Sequence, residues 1–185
     1  MSGSKGKLVV ISAPSGTGKG TVINELLKLR PDFVFSVSAT TRKPRPGEAD
    51  GVEYRFLSHE QFNEMIEDDE FLEYAKYVDE YYGTPVKPIK ESIDSGVTVI
   101  LDIEVQGAKQ VMSKDIDALT IFITAPDMEE LENRLRGRGT DSDEKIISRL
   151  ERAKQELEEK KHYDYVVIND SASRAAEEIL SIIEK

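Results

Sequence analysis

Cysteine is absent from the 185 residues. Disulfides and thiolate-bound metals are therefore excluded, and a reducing compartment is the natural setting. No apolar run approaches the roughly 20 residues that a membrane-spanning helix requires. Met1 to Lys7 run straight into a strand-like segment with no secretory apolar core, so a cytoplasmic protein is the expectation. Positive charge is scarce: 25 Lys and Arg stand against 36 Asp and Glu, a formal net charge of −11. Such a surface repels nucleic acid and anionic membrane, and neither is expected as a partner. An anionic ligand then has to be held by a local basic cluster. The acidic residues are too dispersed to suggest a metal held by protein ligands. His59 and His162 lie in polar surroundings and receive no role. No internal repeat or low-complexity segment occurs, and nothing in the sequence speaks to oligomeric state. The length suits one core, with room for a small insert.

Four runs are apolar on both faces: Leu8 to Ile11, Val97 to Leu101, Leu119 to Ile123 and Tyr165 to Ile168. Rich in β-branched residues and without polar alternation, they read as strands buried on both sides of a parallel sheet. Helical spacing lies between them. Val22, Ile23, Leu26 and Leu27 follow the first run, and Ile146, Ile147, Leu150, Ala153 and Leu157 form a stripe before the last. Asp141 and Glu144 have the spacing of a capping box for that second helix, and Ser171 to Lys185 reads as a closing amphipathic helix. The expected fold is α/β, a core with a mostly parallel sheet flanked by helices. From about Ser36 to Tyr82 the pattern changes to short aromatic pieces punctuated by Pro44, Pro46, Gly47 and Gly51. Ser58 and Gln61 make a capping box there, with Phe62, Met65 and Ile66 facing inward. This stretch is expected to form a small α+β insert. Glu67 to Glu70 reads as a solvated helix end.

Ala13-Pro14-Ser15-Gly16-Thr17-Gly18-Lys19-Gly20-Thr21 follows the first buried strand and opens the first helix. It resembles the phosphate-loop pattern G-x-x-x-x-G-K-[ST]. Small residues let backbone N–H groups curl around a phosphate, the helix N-terminus adds partial positive charge, and Lys19 reaches the β and γ phosphates. Ala13 replaces the first glycine, which is tolerable if its φ is negative. Gly20 takes the place of the usual magnesium-ligating hydroxyl, with Thr21 one residue later. Magnesium is then expected to come with ATP, held mainly by phosphates and water. The motif alone specifies a nucleoside triphosphate and no more.

Two basic clusters follow. Thr41-Arg42-Lys43-Pro44-Arg45 places two guanidinium forks three residues apart around a stiffening proline, suited to a phosphate. Further on, Arg134 and Arg138 are four apart on one predicted helix face, Gly137 and Gly139 offer hinges, and Arg149 lies on the next helix.

The pattern Ser38-x-x-Thr41... is embedded in a longer series: Thr40-Thr41-Arg42, Pro44-Arg45, Gly47-Glu48, Gly51 to Tyr54, Glu73, Tyr81 to Thr84 and Ile100 to Gly107. In this order, from about Lys7 to Glu184, the chain resembles the guanylate kinase family. The resemblance implies three parts: a phosphate-loop core over 1–36 and 85–185, a GMP-binding insert over 37–84, and a mobile helical lid over about 126–158. It also implies ATP and GMP as substrates, with dGMP a further acceptor. Ser38, Arg42, Arg45, Tyr54 and Tyr82 resemble GMP-binding positions, Glu73 the reader of the guanine edge, and Thr84 a position near the base. Asp102 matches a GMP-side position; Glu104 stands where some members have Asp. Arg134, Arg138 and Arg149 are implied to close over ATP and, with Lys19 and Arg42, to serve catalysis. Asn169 is implied to lie beside the adenine.

Phosphoryl transfer needs positioning and charge neutralisation more than covalent chemistry, which suits a site of arginines, Lys19 and Mg2+. Two other readings remain open on the residues alone. A kinase of another nucleoside monophosphate fits Gly18 to Thr21 equally well. A non-catalytic scaffold domain of the same fold is the second, although such modules have a degraded phosphate loop and this chain keeps Gly16, Gly18 and Lys19.

Overall fold

The computed structural model describes residues 5–137, 139 and 141–185. Arg138, predicted as a lid residue, lies outside the described residues. The chain opens with strand β1 (Leu8–Ser12), helix α1 (Lys19–Leu29) and the short β2 (Val34–Phe35). Next come β3 (Ala39–Thr40), β4 (Arg55–Phe56), α2 (His59–Glu67), β5 (Phe71–Tyr77) and β6 (Glu80–Pro85). Then α3 (Val86–Asp94), β7 (Val99–Asp102), α4 (Val105–Ser113) and β8 (Ala118–Thr124) return the chain to the first sheet. The remainder is α5 (Met128–Gly137), α6 (Asp143–Leu157), β9 (Tyr165–Ile168) and α7 (Ala172–Ile183).

The larger sheet has the order β2-β7-β1-β8-β9, and each of its pairings is parallel. β1 lies in the middle, with every residue buried. Successive side chains of a strand point to opposite faces. Val9 and Ile11 accordingly pack with Val22, Ile23 and Leu26 of α1 and Ile179 and Ile183 of α7. Leu8 and Val10 pack the other way, with Ile89 of α3 and Ala108 and Val111 of α4. Each such side chain contributes roughly 1.5–3 kcal/mol by leaving water. Leu131 and Leu135 of α5 meet Ile146 and Ala153 of α6 in a separate cluster.

Three sequence expectations change. Tyr165 to Ile168 form a strand, but β9 is the sheet edge, and Val166 (42%) and Ile168 (52%) are exposed. The predicted cap of α6 shifts by one residue: Ser142 is the N-cap and accepts from Lys145 N. The Asp141 carboxylate instead binds Lys145 and Arg149, its charge drawn to two cations rather than to backbone N–H groups. Ile147, counted in the apolar stripe, faces outward. β2, which had no counterpart in the sequence reading, is only two residues long and exposed.

The second sheet has the order β4-β3-β6-β5, antiparallel except for β3 with β4. The α2 capping box forms as its sequence indicates: Ser58 Oγ accepts from Gln61 N at 3.1 Å, and Gln61 Oε1 accepts from Ser58 N at 2.9 Å. Phe62 of α2 is fully buried and stacks on Phe71 at 4.4 Å and Tyr81 at 5.3 Å between ring centroids. This aromatic stack is the small sheet's own core. Phe62→Ala is expected to lower stability by about 3–5 kcal/mol in urea unfolding; an unchanged midpoint would show that the stack contributes little.

Candidate active site

The phosphate loop leaves the end of β1 and enters α1 at Lys19. Gly16 (φ 94°) and Gly18 (φ 85°) take left-handed conformations that only glycine adopts without strain. The φ of Ala13 is not positive, which is the condition its substitution for glycine required. Gly18 is the N-cap of α1 and supplies no capping side chain, so the first N–H groups of the helix stay available to an anion. A cavity of about 220 Å3 is lined by Ala13 through Thr21 and by Glu104. Ser15 is half-buried and Gly20 and Thr21 are exposed at its rim.

The loop is braced from outside. Thr17 Oγ1 donates to Pro14 O at 2.9 Å. Thr17 O accepts from Asn169 Nδ2 at 2.7 Å and from Arg134 Nη1 at 3.1 Å. Arg134 also donates to Asn169 O at 2.9 Å and Glu130 Oε1 at 2.7 Å. Asn169 follows β9 and is 5% exposed, so the end of β9, helix α5 and the phosphate loop meet at one carbonyl. α5 also presses Leu135 and Leu131 against Gly16, where a Cβ would lie 2.8 Å from Leu135 Cδ2.

Lys19 Nζ donates to Ile103 O at 2.9 Å and lies 2.5 Å from Asp102 Oδ1. The parallel register of β1 with β7 puts Asp102 opposite Ile11 at the end of its strand. The lysine of the phosphate loop and the aspartate of β7 thus share one edge of the sheet.

Arg42 is held by Glu48 through two bonds, Nη1 to Oε2 at 2.9 Å and Nη2 to Oε1 at 3.0 Å. The Glu48 bond raises the guanidinium's pKa, and the Arg42 bond lowers that of the Glu48 carboxyl. Glu48 Oε2 also accepts from Arg45 N at 2.8 Å, which folds the loop back on itself. The Arg42 guanidinium carbon stands 5.3 Å from the Tyr54 ring centroid, and Tyr54 meets Tyr82 edge-on at 6.1 Å. Arg42, Tyr54 and Tyr82 are thereby gathered, with the Arg45 side chain exposed nearby in sequence and Ser38 half-buried on the way into β3. Glu48 stands in the Gly47-Glu48 piece of the family pattern but was given no role there. Its signal was a lone carboxylate three residues after Arg45 in a basic stretch.

Glu73, which the family resemblance implies as the reader of the guanine edge, is buried, with only 8% of it exposed. Its Oε1 accepts from Thr84 Oγ1 at 2.5 Å, its cross-strand neighbour. The register shifts between Phe71 and Glu73, a bulge that buries Phe71, Leu72 and Glu73 in succession. Burial raises the carboxyl's pKa, with the Thr84 bond opposing.

Arg149 stands apart from these groups. It donates to Asp141 Oδ2 at 2.5 Å, and Lys145 flanks the same carboxylate at 2.6 Å.

Glu73 has a stability consequence with a definite sign. Its folded pKa is raised, so the folded state binds more protons between the ordinary value of 4.5 and the raised one. Stability therefore falls as pH rises through that window, and the full penalty is present above it. Glu73→Gln cannot ionise and lacks the penalty. The melting temperature of this variant minus that of the wild type is expected to grow as pH rises through the window. A pH-independent difference would contradict the burial of a charged group there.

The guanylate kinase family model matches residues 5–185. A guanylate kinase of Streptococcus agalactiae is 54% identical over 182 residues, covering 97% of this chain and 87% of that protein. One of Streptococcus pyogenes is 53% identical, covering 97% of this chain and 86% of that protein. The solved guanylate kinase of Anaplasma phagocytophilum superposes with a TM-score of 0.74 at 35% identity, covering 98% of this chain and 86% of that one.

Proposed function

The chain belongs to the guanylate kinase family and transfers the γ-phosphoryl group of ATP to GMP; we propose the following division of labour among its residues. The core comprises 1–36 and 85–185, with a lid over about 126–158, and the insert 37–84 receives GMP. The phosphate loop from Ala13 to Thr21 holds the ATP phosphates through its N–H groups, and Asn169 flanks the adenine. Lys19 moves between Asp102 and the β and γ phosphates. Arg42 and Arg45, with Ser38, Tyr54 and Tyr82, hold the GMP phosphate. Glu73 reads the base, Thr84 orients Glu73, and Asp102 faces the GMP side. Arg134, Arg138 and Arg149 close over the transferring group.

The observation that carries this reading is the buried Glu73 carboxylate. Guanine presents N1–H and an exocyclic amine as adjacent donors, and a carboxylate accepts both. Thr84 occupies one lone pair of Oε1, leaving the other positions for the base. Adenine has an acceptor at N1 and no amine on that edge. It leaves a buried carboxylate unpaired, a mismatch that costs on the order of 10⁴-fold in discrimination.

In the reaction a GMP phosphate oxygen attacks the γ-phosphorus directly. The new P–O bond forms as the bond to the β,γ-bridging oxygen breaks, and ADP leaves. No side chain serves as nucleophile, because the acceptor phosphate is already largely deprotonated at neutral pH. On closure Lys19 and the arginines meet the negative charge as it spreads, the substrates are aligned and water is excluded. ATP-using kinases of this kind are generally expected to work with Mg2+. Gly20 offers it no hydroxyl, and among the described residues no cluster of three or more His, Cys, Asp or Glu is placed to hold a metal. These residues fit Mg2+ carried on the ATP phosphates, where it supplies charge neutralisation. dGMP as a second acceptor, a cytoplasmic setting and the absence of nucleic-acid partners complete the proposal. They rest on the base-reading carboxylate, the missing cysteines and the acidic surface; no described helix is long and apolar enough to cross a membrane.

Lys19→Met is expected to lower kcat by about 10²–10³-fold, with circular dichroism unchanged. Glu73→Gln is expected to lower kcat/KM for GMP while the KM for ATP holds. Unchanged turnover in the first, or equal losses for every acceptor in the second, would contradict the assigned roles.

A further inference from the structure

Glu73 belongs to the small sheet, but its surroundings are built by α4, which packs on the large one. β5 is an edge strand, and the backbone of Tyr74, the residue after Glu73, turns toward that helix. Gln110 takes both of its polar groups: Nε2 donates to Tyr74 O at 2.9 Å, and Oε1 accepts from Tyr74 N at 3.1 Å. One turn earlier on the same helix face lies Gly107. A Cβ there would stand 2.7 Å from Glu73 Oε2, 3.2 Å from Cδ and 3.3 Å from Cγ.

Gly107 is not a conformational requirement. Its φ is outside the left-handed region, and alanine is the better helix former at such a position. What glycine provides is room for the carboxylate. Glu73 is thus fixed from three directions: Thr84 holds Oε1, the bare backbone of α4 lies against Oε2, and Gln110 pins the next peptide. The bulge between Phe71 and Glu73 means that β-sheet pairing alone does not set its direction.

We propose that Gly107 and Gln110 are specificity-determining positioning residues that set where the Glu73 carboxylate lies, and hence how well it accepts both donors of a guanine edge. The inference rests on the reading of Glu73 as the base reader. A Cβ at position 107 does not threaten the core, because the atom it meets first is the end of a side chain. The side chain that must yield is the one that recognises the acceptor. Loss of Gln110 frees the peptide beside it and loosens the same carboxylate.

The test compares Gly107→Ala, Gln110→Ala and Glu73→Gln in the full chain, with thermal melts alongside. Steady-state constants are measured for GMP, for IMP, which keeps N1–H and lacks the exocyclic amine, and for ATP. Gly107→Ala is expected to raise the KM for GMP about 10- to 100-fold, the scale of a misplacement of about 1 Å. The KM for ATP stays unchanged, and the preference for GMP over IMP shrinks. Gln110→Ala moves the same quantities in the same direction by less. Unchanged GMP constants in both variants, or GMP and ATP constants rising together, would overturn the proposal. If Glu73→Gln alters the GMP-to-IMP preference and the α4 variants do not, the positioning inference alone falls. If Glu73→Gln leaves that preference intact, the base-reading assignment falls and takes the inference with it.

Discussion

Parallel pairing of β1 with β7 on one side and β8 on the other is the constraint from which the site follows. Parallel strands bring their C-terminal ends to one edge, and ligands of open α/β sheets bind beyond that edge. Here the register places Ile11 beside Asp102 and Thr124 beside Ile168. The phosphate loop, Asp102 and Asn169 therefore emerge together although they are spread across most of the chain. The buried alternation of β1 fixes this geometry, since a slip by one residue would exchange the faces served by Val9 and Val10.

Electrostatics gives the same edge its character. The chain is strongly acidic, and cations with proposed roles have partners within the protein: Lys19 has Asp102, Arg42 has Glu48, and Arg149 has Asp141. Each carboxylate holds its cation in place. A phosphate presents two oxygens to the fork of an arginine as a carboxylate does, with more charge, so an incoming phosphate competes with these carboxylates for their cations. Arg134 differs, because its guanidinium bonds backbone carbonyls of the phosphate loop and of Asn169. It ties α5 to the loop beneath.

Much of this was legible in the sequence. The β-branched runs gave four of the five strands of the large sheet, the small residues before Lys19 gave the phosphate loop, and Ser58 with Gln61 gave a cap that forms as written. These are local signals, in which the residues that specify the feature also make it. What escaped was non-local. Tyr165 to Ile168 is as apolar as a central strand, but nothing in the run says that no strand pairs beyond it. Asp141 has the chemistry of a cap, and only the fold reveals two cations competing for it. Glu73 lies just beyond a run of exposed acids, and its burial depends on a bulge, on Thr84 across the strand and on Gly107 from a distant helix. The resemblance to a family singled out Glu73; periodicity had no means to.

The most direct measurement is ADP release with ATP and magnesium against a panel of GMP, dGMP, AMP, CMP, UMP and dTMP. The account predicts rapid turnover confined to GMP and dGMP, because only guanine satisfies the buried carboxylate of Glu73. Turnover with AMP comparable to that with GMP would leave the fold and the phosphate loop standing and contradict the account of how this site chooses its acceptor.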